Sequence, residues 1–264
     1  MRESDKRGEM YAEERQLAVA ELVARDGRVS VTELAANFDV TAETVRRDLS
    51  LLEGRGLVRR VHGGALPVES VTLLEAQLTE RDLANIEQKQ RIAQAAVAFL
   101  PGSGGTVLLD AGTTTARLAQ ILPPDRAFTV ITHAVPIAER LADDSKIELH
   151  LLPGRVRRKT HAAVGMATVT ALGRVRADVA FVGANGITLD HGLSTPDHAE
   201  AATKAALISA AHRTIVLCDS SKIGVERTVS FARLDDIDVL ITDAGISAAQ
   251  REAFARVDLE LVIV

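Results

Sequence analysis

Three observations place this 264-residue chain among α/β proteins, with a small helical domain ahead of a larger Rossmann-like domain on a parallel sheet. The first 65 or so residues read as short amphipathic helices broken by turn signals. From about Thr106 onward, short apolar runs alternate with helical stretches. The composition, 47 % hydrophobic and 25 % charged, is that of a globular protein and excludes disordered, collagen-like and coiled-coil classes.

In the first part, Val19, Leu22 and Val23 recur at helical spacing, and Gly27 stops that helix. Ser30 precedes Glu33 by three, the arrangement in which each side chain satisfies a backbone donor at a helix start. A second helix over 31–38 follows. After the brief Asp39, Val40 connection, Thr41 caps a third helix with Val45, Leu49 and Leu52 as its apolar stripe. Two short helices joined so tightly predict a helix-turn-helix over 29–48. At about 100° per residue, Glu43, Arg47 and Ser50 lie opposite that stripe, with Thr44 and Arg46 on the flanks. Beyond Gly54 and Gly56, residues 57–62 alternate like a strand carrying Arg59, Arg60 and His62, and Gly63 and Gly64 turn it: a basic wing.

Charge needs a regional reading. The chain holds 31 Lys+Arg against 36 Asp+Glu, a formal net charge of −5, which taken whole argues against a nucleic-acid partner. Residues 41–65 nevertheless hold five arginines (Arg46, Arg47, Arg55, Arg59, Arg60) against three acids (Glu43, Asp48, Glu53). Guanidinium groups on the third helix suit guanine edges or phosphates, and Thr41 and Thr44 suit a phosphate near the helix start. The same arginines also suit the solvated face of a small interaction domain. Without Trp, and with one Tyr and six Phe, the chain lacks the aromatic platforms of single-strand binders, so a nucleic-acid partner would be duplex.

In the second part, strands are predicted at 106–109, 128–131, 147–152, 179–182, 215–217, 239–241 and 259–264, apolar throughout and so buried on both faces. Helices are predicted at 87–99, 115–121, 135–142, 199–211 and 248–254. In open parallel sheets ligands sit beyond the carboxyl ends of the strands. Those ends carry Asp110, Gly112, Thr113, Thr114 and Thr115; Thr132 and His133; Gly183 and Asn185; and Lys222, with Lys204 as a further cation. Gly112 lets a backbone approach a ligand, and the threonines put hydroxyls and N–H groups at a helix start, so an anionic effector is expected. Glycines and threonines also serve as ordinary turns and caps.

The remaining features carry less. Asp190, His191, Asp197 and His198 lack a second cluster at ligand spacing, so no metal and no cofactor are expected. Cys218, the single cysteine, reads as a small core residue and forms no intrachain disulfide. The start MRESDKRGEM has no apolar signal segment, and no stretch approaches the roughly 20 apolar residues of a membrane helix. A cytoplasmic protein without a membrane partner is expected.

The run VTAETVRRDL at 40–49, with VHGGA at 61–65, resembles the DeoR family of bacterial transcriptional regulators. The resemblance continues through EQKQRIA at 87–93, LDAGTT at 109–114, VGANG at 182–186, HGL at 191–193 and DSSK at 219–222, nearly the whole chain. Thr41 stands where the family usually has Ser; both cap. The resemblance implies a winged helix-turn-helix over 12–67, a connector over 68–84, and a sensor and oligomerisation domain over 85–264 for a phosphorylated sugar. The implied function is a repressor of carbohydrate genes that binds double-stranded operator DNA as a homodimer or homotetramer. GLSTPD at 192–197 looks most like regulators of fructose uptake, which favours a fructose phosphate.

The second part also resembles ribose-5-phosphate isomerase, which leaves an isomerase-like enzyme with an accessory interaction domain as the alternative. That enzyme usually carries acids where this chain has Asn185, Gly186 and Thr188. Isomerisation needs a positioned carboxylate, with Glu200 or Asp197 as the substitutes available, so no enzymatic activity is expected.

Overall fold

The computed structural model describes residues 12–26, 29–54, 57–61, 63–67 and 78–264, and divides into two compact units, Met1–Glu75 and Ala76–Val264. Arg55 and His62 lie outside the described residues, as does 68–77 of the expected connector, and for Arg59 only the backbone is described.

The first unit contains α1 (Ala12–Asp26), β1 (Val29–Ser30), α2 (Val31–Phe38), α3 (Ala42–Gly54), β2 (Val58–Val61) and β3 (Gly64–Pro67). The cap at Ser30 is reciprocal: Glu33 N–H donates to Ser30 Oγ at 3.1 Å, and Ser30 N–H to Glu33 Oε2 at 2.8 Å. Asp39, at φ 50 and ψ 48, turns the chain out of α2. Thr41 Oγ1 then accepts the Thr44 N–H at 3.1 Å to start α3. The stripe Val45, Leu49 and Leu52 is buried against Val19, Val23, Leu34 and Val58. One acid of α3 faces inward: Asp48 accepts from Arg15 Nε at 2.7 Å and Gln16 Nε2 at 3.0 Å, joining α1 to α3. The wing is an antiparallel sheet in the order β1-β3-β2, with Arg60 opposite Ala65. Its turn uses Gly63 at φ 81, and Gly64 packs so tightly that a Cβ there would lie 2.2 Å from Val29 O.

The second unit opens with α4 (Leu78–Leu83) and α5 (Ile86–Ala96). A parallel sheet of seven strands follows: β4 (Thr106–Leu109), β5 (Phe128–Thr132), β6 (Ile147–Leu151), β9 (Ala177–Val182), β12 (Ala211–Leu217), β14 (Val239–Thr242) and β15 (Glu260–Ile263), ordered β15-β14-β12-β9-β4-β5-β6. Side chains alternate between two cores. Val107, Leu109, Phe181 and Ile215 pack under α5, α6 (Thr113–Gln120) and α7 (Val135–Leu141). Leu108, Ala180, Val216 and Leu240 face α8 (Met166–Leu172), α9 (His198–Ser209) and α10 (Ala248–Phe254). The expectation of strands buried on both faces fails at the edges: β6 leaves Glu148, His150 and Leu151 exposed, and β15 is only half-buried, because an edge strand has a neighbour on one side alone. Ala211, expected to end a helix, begins β12.

The sequence reading did not anticipate α4, α8, the ribbon β7 (Arg155–Val156) with β8 (Ala163–Val164), or the antiparallel sheet of β10 (Gly186–Thr188), β11 (Gly192–Thr195) and β13 (Val229–Ala232). The strand order does locate the site. From β4 the chain winds outward through β5 and β6, then returns to β9 on the other side of β4, so the crevice between β4 and β9 is the topological switch point.

Candidate functional site

In the first unit, α3 presents Glu43, Arg46, Arg47 and Ser50 to solvent, with Thr44 half-buried. Arg46 pairs with Glu43 at 3.1 Å. Arg47 has no partner among the described residues. Ser50 is not a free hydroxyl: it donates to Arg46 O at 2.8 Å and receives the Arg60 guanidinium at 2.5 Å. The Arg60 N–H donates to Glu53 Oε1 at 2.9 Å. Wing and helix α3 are thereby tied together, and Arg46 and Arg60 line a concavity of about 420 Å³ with Thr32 and Gly63.

In the second unit, the carboxyl ends of β4 and β9 are fastened by one buried cluster. Asp110 Oδ2 accepts the Gly183 N–H at 2.8 Å across the switch point and also the Lys204 ammonium, which reaches Gly183 O at 2.9 Å. His133 Nδ1–H donates to Ala163 O at 2.8 Å, and its Nε2 lies 3.0 Å from Asp110 Oδ1 and 3.1 Å from the Ala111 N–H. Burial alone pushes the Asp110 carboxyl up. The Lys204 charge and the hydrogen bond and charge of His133 more than reverse this and hold it well below the ordinary carboxylate range.

The expected effector residues therefore divide. Gly112 and Thr113 line a cavity of about 580 Å³ walled by α4, α6 and α7. Gly112 is the N-cap of α6 and supplies no side chain, so the first N–H groups of that helix have no side-chain partner. Thr114 and Thr115 are buried beside them, and the Thr115 hydroxyl donates to Asp110 O at 2.7 Å. Thr132 donates to Leu109 O at 2.7 Å and is fully buried, so with Asp110, His133 and Lys204 it supports the loops from beneath. Asn185 accepts from the Thr195 hydroxyl at 3.2 Å, and Lys222 sits on a short 3-10 turn after β12. Neither lines the cavity of α4, α6 and α7.

Several polar residues escaped the sequence reading. Arg117, one turn along α6, donates to the Asp82 carboxylate on α4, to Asp82 O at 3.1 Å and to Thr113 O at 3.0 Å. Lys89, 4 % exposed, donates to Arg81 O and to Ala84 O at 2.5 Å. Burial lowers its ammonium to about 8, with nearby Asp219 opposing and Arg117, Lys222 and Arg81 adding to the fall. Asn85, at φ 52, joins the α4–α5 corner to Asp219 through a 2.9 Å hydrogen bond.

The carboxylates that might replace an isomerase base are committed elsewhere. Glu200 Oε1 takes Arg157 and the Thr160 hydroxyl, each at 2.5 Å, and Asp197 caps α9 through the Ala199 and Glu200 N–H groups. Burial, and after it the Asp219 charge, push the Cys218 thiol up to about 12, which matches a core residue. Among the described residues no group of three or more His, Cys, Asp and Glu is placed to hold a metal, and no helix is long and apolar enough to cross a membrane.

Residues 15–71 match the model of the DeoR-like helix-turn-helix domain, and residues 84–244 that of the DeoR C terminal sensor domain. The HTH-type transcriptional regulator GlpR of Haloferax volcanii is 38 % identical over 92 % of this chain and 94 % of its own. The uncharacterized HTH-type transcriptional regulator FruR of Bacillus subtilis is 34 % identical over 89 % and 92 %, and the glycerol-3-phosphate regulon repressor of Escherichia coli 31 % over 96 % and 100 %. Among solved structures, ribose 5-phosphate isomerase A of Methanocaldococcus jannaschii overlaps 53 % of this chain and 55 % of its own, at 19 % identity and a TM-score of 0.39. That likeness is too loose to carry an argument about activity. Full-length identity to curated regulators, rather than to an enzyme, removes the isomerase alternative. With both domain models matched in order along one chain, the protein belongs to the DeoR family of helix-turn-helix transcriptional regulators.

Proposed function

We propose that the protein is a cytoplasmic repressor of carbohydrate genes that leaves its operator when a phosphorylated sugar occupies the second unit. The observation that carries the DNA side is the outward face of α3, where Arg47 is exposed and unpaired among the described residues and Arg46 is held only by an exposed ion pair. In this reading α3 enters the major groove, with Glu43, Thr44, Arg46 and Arg47 toward the bases and Thr41, Arg59, Arg60 and His62 toward the backbone. Ser50 acts through Arg60. One such helix reads only a few base pairs, so a homodimer or homotetramer assembled through the second unit is proposed to supply the second reading head.

On the sensor side, Gly112, Thr113 and Thr114 offer uncapped N–H groups to a phosphate, a favoured position at a helix start. Lys222, Gly183 and Asn185 are proposed to meet the sugar along the adjoining sheet edge, with Asp110, Thr115, Thr132, His133 and Lys204 fixing the loops. Fructose 1-phosphate and fructose 6-phosphate are the first ligands to try. The name of the Escherichia coli relative makes glycerol 3-phosphate the second.

The test is a gel-shift on DNA upstream of the protein's own gene, titrated with these phosphates and with the unphosphorylated sugars. A specific shift reversed only by a phosphate supports the reading. Sequence-independent binding, or equal release by fructose and its phosphates, refutes it.

A further inference from the structure

Helix α4 is six residues long and buries none of them, and such a segment is far too short to hold itself as a helix in water. It also lies between the two family segments, which end at residue 71 and begin at residue 84. Its attachments are few. Leu78 N–H donates to Lys159 O at 3.1 Å, Lys89 caps its last carbonyls, and Arg117 holds Asp82.

Only the last of these reaches from α4 to the wall that carries the uncapped N–H groups. Arg117 and Asp82 face each other across the rim of the 580 Å³ cavity, a volume within the ordinary range for small-molecule sites. The Arg117 side chain is 12 % exposed and the Asp82 side chain 53 %. An ion pair with one well-hydrated partner contributes little net stability. A phosphate at the start of α6 would carry about −1.5 to −2 charges and three acceptor oxygens, one helical turn from the Arg117 guanidinium.

We propose that Arg117 is an effector-binding residue shared between Asp82 and the phosphate, and that its transfer to the phosphate unlatches α4 and thereby signals toward the DNA-reading unit. This rests on the phosphorylated-effector reading given above. In the empty state the guanidinium spans Asp82 and the first turn of α6. In the filled state it turns to the phosphate, and Asp82, left without its cation and facing a dianion, is repelled. With no buried residue to hold it, α4 frays, and the chain entering it from residue 77 loses its fixed end.

The test uses the full-length protein, its Asp82→Asn and Arg117→Ala variants, and upstream DNA with or without fructose 1-phosphate, fructose 6-phosphate or glycerol 3-phosphate. Backbone hydrogen exchange over residues 78–83 and operator affinity are both measured. For the parent, the active phosphate is expected to speed exchange over 78–83 and change operator affinity by at least about fivefold, the lower end of allosteric coupling. Asp82→Asn is expected to show both properties without ligand while still binding it. Arg117→Ala is expected to need at least about tenfold more phosphate, one broken charged hydrogen-bond pair. If the parent responds and Asp82→Asn keeps parental exchange and affinity, the latch is refuted and the sensor reading stands. If the parent binds DNA but ignores every phosphate, the sensor reading fails and the latch with it.

Discussion

The Arg60 guanidinium donates to Ser50 Oγ at 2.5 Å, joining the wing strand to helix α3, while Ser50 in turn donates to Arg46 O. Both residues fall on the face first read as DNA-contacting, yet each satisfies the other. Arg60→Ala and Ser50→Ala are expected to weaken operator binding by overlapping amounts. A double-mutant cycle on operator affinity should give a coupling of about 0.5 kcal/mol or more, the size found for residues in contact. Strict additivity would mean the contact is idle in the complex.

Arg47 is the opposite case, an exposed guanidinium without an intramolecular partner among the described residues. Arg47→Ala should cost about 1–3 kcal/mol of operator discrimination, the worth of one good side-chain–base pairing. It should change folding stability by no more than about 0.5 kcal/mol, as at other surface sites. Anisotropy titration and urea unfolding on one preparation separate the two effects.

The Asp110 cluster governs acid tolerance. Its carboxyl is held below the ordinary range in the folded state, so its stabilising contribution is present above the unfolded value near 3.9 and is lost only as pH falls through the lower folded value. Lys204→Met strands a buried carboxylate, and breaking such a pair costs about 3–5 kcal/mol. The variant should be much less stable at pH 7 in urea. Its stability should also fail to decline on acidification as the parent's does, because protonating Asp110 then relieves the defect.

Lys89 predicts a feature on the alkaline side. Its folded value of about 8 lies below the ordinary lysine range near 10.4. Between those limits the unfolded chain binds more protons, so Lys89 adds stability as pH rises from about 8 to about 10.4. Lys89→Met should remove that rise. Urea unfolding of parent and variant at pH 7.5 and 10 measures it.

The central strands were legible because burial on both faces leaves continuous apolar runs, as in β4 and β14. The helix-turn-helix was legible because Ser30, Glu33 and Thr41 carry their meaning within four residues. What escaped was either short or distant. β10, β11 and β13 are three or four residues each and rich in glycine, serine and threonine, and α4 has no apolar stripe. The cavity's polar partners are 35 residues apart for Asp82 and Arg117, and the cluster beneath it 94 apart for Asp110 and Lys204. Nothing local marks either pair. Lys89, between glutamines on a helix, reads as a solvated residue until the α4 carbonyls are placed above it.

The buried cluster of Asp110, His133 and Lys204 closes the floor of the sheet edge from groups of the protein alone. The loops above it are consequently ready-made before any sugar arrives. Ligand preference is then a property of the replaceable walls on α4 and α7, where Glu139, Arg140 and Asp143 face the cavity, and not of the scaffold that bears them. A chain partitioned in this way can be retargeted to another metabolite by changing a few exposed side chains without refolding its core, which makes it a practical starting point for an engineered biosensor.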